Sequence, residues 1–219
     1  NKRTDEWGGS AQNRRRFPVK IVRAVRAAAG PDFIIVYRLS MLDLVPDGQS
    51  WEEVVALAAE ICDGWLPIFY SPRIADMYNE WLDEGFARPG ARRTRETFEI
   101  CATAQIVVTD DRPAIMELMK PHLALYMGGM GAEDTNFHAD VYRRMGYAEV
   151  VDDVTKLFRT DRKDEAAKVI PDELVDDSAI VGNLDYVKQQ IKAWEAAGVT
   201  MMVVGARSVD QIKDLAGLV

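Results

Sequence analysis

Apolar runs closed by turn residues alternate along this chain with stretches of helical period. That rhythm restricts the fold more than any other feature. Phe33–Leu39 (FIIVYRL) is β-branched and aromatic, follows Gly30-Pro31 and reads as a buried strand. A helix follows from Ser50, where Ser50 and Glu53 form a capping box and Trp51, Val54, Val55, Ala58 and Ile61 share a face. Trp65–Tyr70 reads as the next strand, with Ser71 as N-cap, Pro72 at the first helical position and Gly85 to close the helix. Ala102–Thr109 reads as a third strand, with Asp110 or Asp111 capping a helix that Pro121 should kink or end. Near the C-terminus Asn183 caps a helix that stops at Gly198, Val199–Gly205 reads as a strand, and Ser208 with Gln211 opens a last helix. Four βα units with short loops imply parallel strands with right-handed crossovers.

The stretch between Gly128 and Gly182 reads as helical throughout, an insertion between two units. A complete (β/α)8 barrel needs eight units and about 250 residues. The 219 residues here predict an α/β fold, a partial or hybrid (β/α)8 TIM-barrel type with parallel strands and a helical insertion. The chain reads as one structural domain made of residues 1–61 and 62–219.

Composition removes several function classes. No apolar run approaches the roughly 18–20 residues of a membrane span, so no membrane partner is expected. Two cysteines, Cys62 and Cys101, cannot build a disulfide framework, and a cytoplasmic setting is expected. Two histidines, His122 and His138, are too few for a His-based metal centre, so no metal is expected. The chain opens at Asn1 with no signal-like segment and no starting Met, which leaves open that it is a fragment.

Charge is uneven. Residues 1–26 hold eight cations against two carboxylates, net +6, so the remainder of this −8 chain carries −14. A basic start on an acidic body is one form of nucleic-acid arm. Phe17, Ile21, Val22 and Val25 recur between the charges at helical spacing, however, which describes an amphipathic helix. The overall acidity also argues against a polyanionic partner, and no nucleic acid is expected.

The opening NKRTDEWGGSAQNRRRF (Asn1–Phe17) resembles the old yellow enzyme family, in its NADH:flavin oxidoreductase branch, and the likeness continues to about Ile61. The resemblance implies a fifth barrel strand whose arginine contacts the flavin; that position is Arg38 here. A guanidinium beside the flavin carbonyl stabilises negative charge on the reduced ring. The alternative is that Arg38 pairs with Asp43. Arg3, Asp5, Gly8, Gly9, Asn13 and Arg16 match the same motif, and a rigid loop entering a helix explains them best. The family's proton-donating tyrosine lies before this segment and its phosphate-binding segment on later strands; neither is matched.

From about Ala56 the likeness changes. AEICDGWLPIFYSP, WLDEGFARPGARR, ATAQIVVTDD, YMGGMGAEDTNFHADVYRRMGY and PDELVDDSAIVGNLDYVKQQIKAWEAAGVTMMVVGA are similar to the C-terminal half of the luciferase-like monooxygenases that use coenzyme F-420. The chain thus reads as a join, natural, engineered or artefactual, on a helix that fits either parent. Both resemblances imply a flavin- or deazaflavin-dependent oxidoreductase moving hydride through F-420 or FMN to a small-molecule substrate. Two rivals are an FMN-dependent ene-reductase and a non-catalytic hybrid that self-associates; a homo-oligomer is expected.

In a parallel barrel the reacting face is the C-terminal end of the strands. Ser71 and Ser208 stand at such ends, each opening a helix whose free N–H groups can hold a phosphate, and Arg207 adds charge to the second. These three join Arg38 as cofactor-binding candidates, although plain N-caps explain both serines better. No catalytic residue is identifiable. The glycines of Gly128–Tyr142 match neither dinucleotide nor P-loop spacing and read as a helix break. Asp152-Asp153 and Asp176-Asp177 read as solvated helix ends, and His138 as a surface or helix-packing residue.

Overall fold

The computed structural model describes residues 3–40, 43, 46, 48–132, 135–206 and 208–218. The chain divides into two compact units, residues 1–64 with 80–98, and 65–79 with 99–219.

The first unit is built on α1 (Ala11–Ala29) and α2 (Trp51–Ile61). Ser10 caps α1 by accepting from Asn13 N at 3.2 Å, and Gly30 ends it at φ 88°, a left-handed conformation that favours glycine. α2 carries the predicted capping box: Ser50 Oγ accepts from Glu53 N, and the Glu53 carboxylate accepts from Ser50 N. Val19, Val54 and Leu57 form the buried seam of these helices. The expected apolar stripe of α1 faces out instead, with Phe17 59% exposed.

The expected strand Phe33–Leu39 does not form. The segment is extended but irregular, with Ile34 77% and Val36 74% exposed. β-branched residues favour a strand only where a neighbour completes the ladder, and among the described residues none pairs here. The Phe33 carbonyl accepts instead from Arg26 Nη1 at 2.6 Å. The loop before α1 is rigid, as expected. Arg3 Nε donates to Asp5 Oδ1 at 3.0 Å, and Asn13 Nδ2 donates to Gly8 O at 3.0 Å. A Cβ on Gly8 would lie 2.3 Å from the Arg3 carbonyl oxygen, so the position admits only glycine.

β1 (Gly64–Trp65) leads from the first unit into the second, and is far shorter than the predicted Trp65–Tyr70. A 3-10 turn (Pro72–Ile74) follows, then α3 (Ala75–Phe86), which runs one residue past Gly85. The run predicted as one strand is two: β2 (Glu99–Thr103) pairs in parallel with β5 (Met201–Val203), and β3 (Gln105–Val108) pairs in parallel with β4 (Ala179–Gly182). The change of partner falls at Ala104, whose N–H goes to Val203 O, whereas Thr109 N bonds Gly182 O.

Between β3 and β4 the chain is mostly helical: α4 (Arg112–Ala124), a π-turn (Leu125–Gly129), α5 (Phe137–Arg144), α6 (Ala148–Arg159), α7 (Lys163–Lys168) and α8 (Asp172–Asp176). Asp111 is the α4 cap. Pro121 does not end α4, which runs on to Ala124 and into the π-turn. The segment predicted as wholly helical therefore ends in a strand, β4, all four of whose residues are buried. Four apolar or small residues are too few to be told from helix by periodicity.

α9 (Leu184–Ala196) is capped by Asn183 as predicted, with Val187 and Trp194 inward but Leu184 47% exposed. α10 (Val209–Ala216) is capped by Ser208. The core of this unit includes Val151, Val154, Leu174, Val181, Val187 and Trp194. The fold is α/β with parallel strands, and five strands are present among the described residues, against eight in a complete barrel.

Candidate functional site

The four predicted ligand residues fall in different settings. Arg38 belongs to the first unit. It is exposed and lines a groove of about 520 Å³ with Arg14, Tyr37, Ser40, Asp43 and Gln49. Asp43 does not hold Arg38; its carboxylate accepts from Gln49 N at 2.9 Å. Arg207 lies outside the described residues. Ser208 is exposed at the start of α10, where its Oγ accepts from Gln211 N at 3.1 Å.

Ser71 is fully enclosed, and its Oγ accepts from Arg73 N at 3.2 Å. The hydroxyl is spent on this cap and closed to solvent, in keeping with the plainer reading of Ser71 as an N-cap.

Three of the four paired aspartates are engaged. Asp176 pairs with Arg112, Asp177 accepts from Tyr147 Oη at 2.6 Å and lies 3.4 Å from Arg73, and Asp152 pairs with Arg143. No group of three or more His, Cys, Asp and Glu side chains among the described residues is placed to hold a metal ion. Cys62 and Cys101 are both half-buried, and burial raises both thiol pKa values.

A different constellation stands just ahead of Ser71. Phe69 has φ 54°, a left-handed conformation that is strained for a large side chain. Its ring lies 5.0 Å from Tyr126, 5.8 Å from His138 and 5.2 Å from Tyr142, and Tyr126 lies 4.9 Å from His138 and 4.8 Å from His122. Edge-to-face contacts of this kind are the favoured aromatic geometry. Asn136 joins the contributing elements. Its Nδ2 donates to Tyr126 O at 2.9 Å and Met127 O at 2.8 Å, and its Oδ1 accepts from His138 N and Ala139 N. One side chain thus fixes the π-turn to the first turn of α5, and with it the spacing of Tyr126 and His138.

Burial lowers the His138 pKa, which favours the neutral imidazole. Its Nδ1 is enclosed and has no hydrogen-bond partner. Phe69, Tyr126 and His138 are each only half-buried. Aromatic surface beside an unspent polar atom suits a flat heteroaromatic ring with a hydrogen-bonding edge. The residues present therefore fit an isoalloxazine-type group. Sequence reading passed over Phe69 and Tyr126 because nothing local marks them: the cluster gathers residues from 69, 122–126 and 138–142, and only the fold brings these together.

Two family models match the chain. That of the luciferase-like monooxygenases covers residues 47–201, and that of the NADH:flavin oxidoreductase / NADH oxidase family covers residues 1–68. A protein of Mycobacterium tuberculosis named as a coenzyme F-420-dependent oxidoreductase is 77% identical over 172 residues, which are 78% of this chain and 50% of that protein. The chain spans about half the length of this curated relative. Among solved structures, the coenzyme F-420-dependent tetrahydromethanopterin reductase of Methanopyrus kandleri superposes with a TM-score of 0.55 at 20% identity, over 73% of this chain and 44% of that one. An F-420-dependent secondary alcohol dehydrogenase, solved with an F-420–acetone adduct, superposes with a TM-score of 0.53 at 12% identity, over 97% of this chain and 63% of that one. At these identities the likeness concerns the fold.

Proposed function

The chain belongs to the luciferase-like monooxygenase family, and on that premise we propose that it is part of a coenzyme F-420-dependent oxidoreductase acting on a small molecule. The observation that carries this reading is the half-exposed aromatic cluster at Phe69, with its unpartnered imidazole nitrogen, inside the segment that the family model covers. When bound, the coenzyme supplies a two-electron carrier that accepts or donates hydride.

The chain's own residues do the rest. Phe69 and Tyr126 offer apolar surface against which a planar ring stacks. Tyr142, fully buried behind them, keeps water from that side. His138 holds or releases a proton at Nδ1, which, like Tyr142 Oη, has no hydrogen-bond partner in the cluster. Asn136 keeps the imidazole and Tyr126 in fixed register.

A second reading follows from the match over residues 1–68, in which FMN is the cofactor and the Arg38 groove takes part in holding it. One experiment separates the two. The purified chain is titrated with oxidised F-420 and, in parallel, with FMN, following cofactor fluorescence. Saturable F-420 binding that weakens at least about tenfold in His138→Leu, equal to roughly 1.4 kcal/mol, supports the first reading. FMN binding that is lost in Arg38→Ala, with no F-420 binding, supports the second. Binding of neither refutes both.

A further inference from the structure

The first unit carries a second groove, of about 420 Å³, that shares only Arg15 with the groove at Arg38. One wall is a single face of α1, presenting Arg15, Arg16, Lys20 and Arg23 at helical spacing. Glu60 of α2 is the only carboxylate among its lining residues. Four cations against one anion give this groove a charge of +3 on a chain whose total is −8.

The cations are only partly engaged. Arg23 Nη2 reaches Glu60 Oε1 at 3.3 Å, and Arg15 Nε stands 3.5 Å from Glu60 Oε2. That Nε is closed off from solvent and makes no hydrogen bond. Arg16 Nη1 pairs with Glu6 at 3.1 Å, and Lys20 Nζ lies 4.6 Å from the Trp7 ring. Arg16 Nη2 also donates to Asn13 Oδ1 at 3.2 Å. A guanidinium has five N–H donors, so one or two contacts of this length leave most of them unspent.

Spacing selects among anions. From Arg15 to Arg23 the helix rises about 12 Å at 1.5 Å per residue. A single phosphate meets two of these cations at once, whereas a linear chain of phosphates runs along all four. We propose that this groove binds the polyphosphate group of a small-molecule ligand, laid along α1 and gripped by Arg15, Arg16, Lys20 and Arg23. Glu60 stands in for the ligand while the groove is empty, drawing Arg15 and Arg23 toward each other. The inference is independent of which redox cofactor the chain uses.

The test is calorimetric titration of the whole chain, at low salt, with inorganic tripolyphosphate, orthophosphate and a single-stranded oligonucleotide. Tripolyphosphate should bind saturably, more tightly than orthophosphate, and weaken steeply with added salt. The double variant Arg16→Gln, Lys20→Gln should bind it at least about tenfold more weakly, since charge-assisted contacts are lost. Glu60→Gln should bind it more tightly, because the competing carboxylate is gone. Circular dichroism of each variant confirms that the helices remain. No tripolyphosphate binding, binding indifferent to these substitutions, or tighter binding of the oligonucleotide would each overturn the proposal.

Discussion

Ser71→Ala distinguishes a structural from a ligand-binding hydroxyl at the head of the Pro72–Ile74 turn. The hydroxyl is fully enclosed and accepts from Arg73 N at 3.2 Å. Removing an N-cap hydroxyl costs about 0.5–2 kcal/mol. Because the bond is part-buried, the desolvation of an unpaired amide, about 1–3 kcal/mol, sets the upper scale. These are two views of one lost bond, so the expected destabilisation is about 2 kcal/mol. With a urea m-value of about 2 kcal/mol/M, the unfolding midpoint should fall by about 1 M. The assay is urea unfolding of the wild type and variant followed by far-ultraviolet circular dichroism, with F-420 titrations of both at zero denaturant. Affinity should stay the same while the midpoint falls. A midpoint moved by less than about 0.2 M, together with weakened F-420 binding, would show that the hydroxyl faces a ligand and that its enclosure is wrong.

Two further outcomes follow from the second unit. Burial holds the His138 pKa below the usual 6.5, so the unfolded chain takes up the proton first. The contribution of His138 to stability is full above about pH 6.5 and declines as pH falls from there toward the lowered folded-state pKa. The difference in urea midpoint between wild type and His138→Gln should therefore shrink or reverse on acidification from pH 8 to 5; a difference that grows would contradict the burial. Gly182→Ala places a Cβ 2.6 Å from Tyr186 Cδ1 in a strand with no exposed residue, and should cost about 1–3 kcal/mol as overpacking. Combining it with Tyr186→Ala should recover most of that cost in a double-mutant cycle, whereas simple additivity would place the strain elsewhere.

Helix starts were legible in the sequence, strands and the site much less so. Ser50, Ser71, Asp111, Asn183 and Ser208 all cap as their spacing predicts, because a cap is a contact within three residues and its chemistry is complete locally. A strand exists only through a partner. Phe33–Leu39 has the composition of one and no ladder among the described residues, whereas Ala179–Gly182 has little strand signal and is paired along its whole length with Gln105–Val108. The same limit hid the candidate site. His138 was visible only as a lone histidine, and its meaning comes from Phe69 and Tyr126, which arrive from other elements. Of the predicted ligands, Ser71 caps its turn as read.

The break at Ala104 also sets a timetable for biosynthesis. The run from Glu99 to Val108 waits for two partners that are far from it along the chain. Gln105 meets Ala179, 74 residues later, and Cys101 meets Met201, 100 residues later. At a synthesis rate of roughly 5–20 residues per second, the earlier half of this run stays without β5 for roughly 5–20 s after it leaves the ribosome. Helices α4 to α9, whose backbone hydrogen bonds are local, have time to form in that interval. Until then β2 has β1 on one side and an open edge on the other, and that interval is when this protein is most open to chaperones and to mispairing with its own copies.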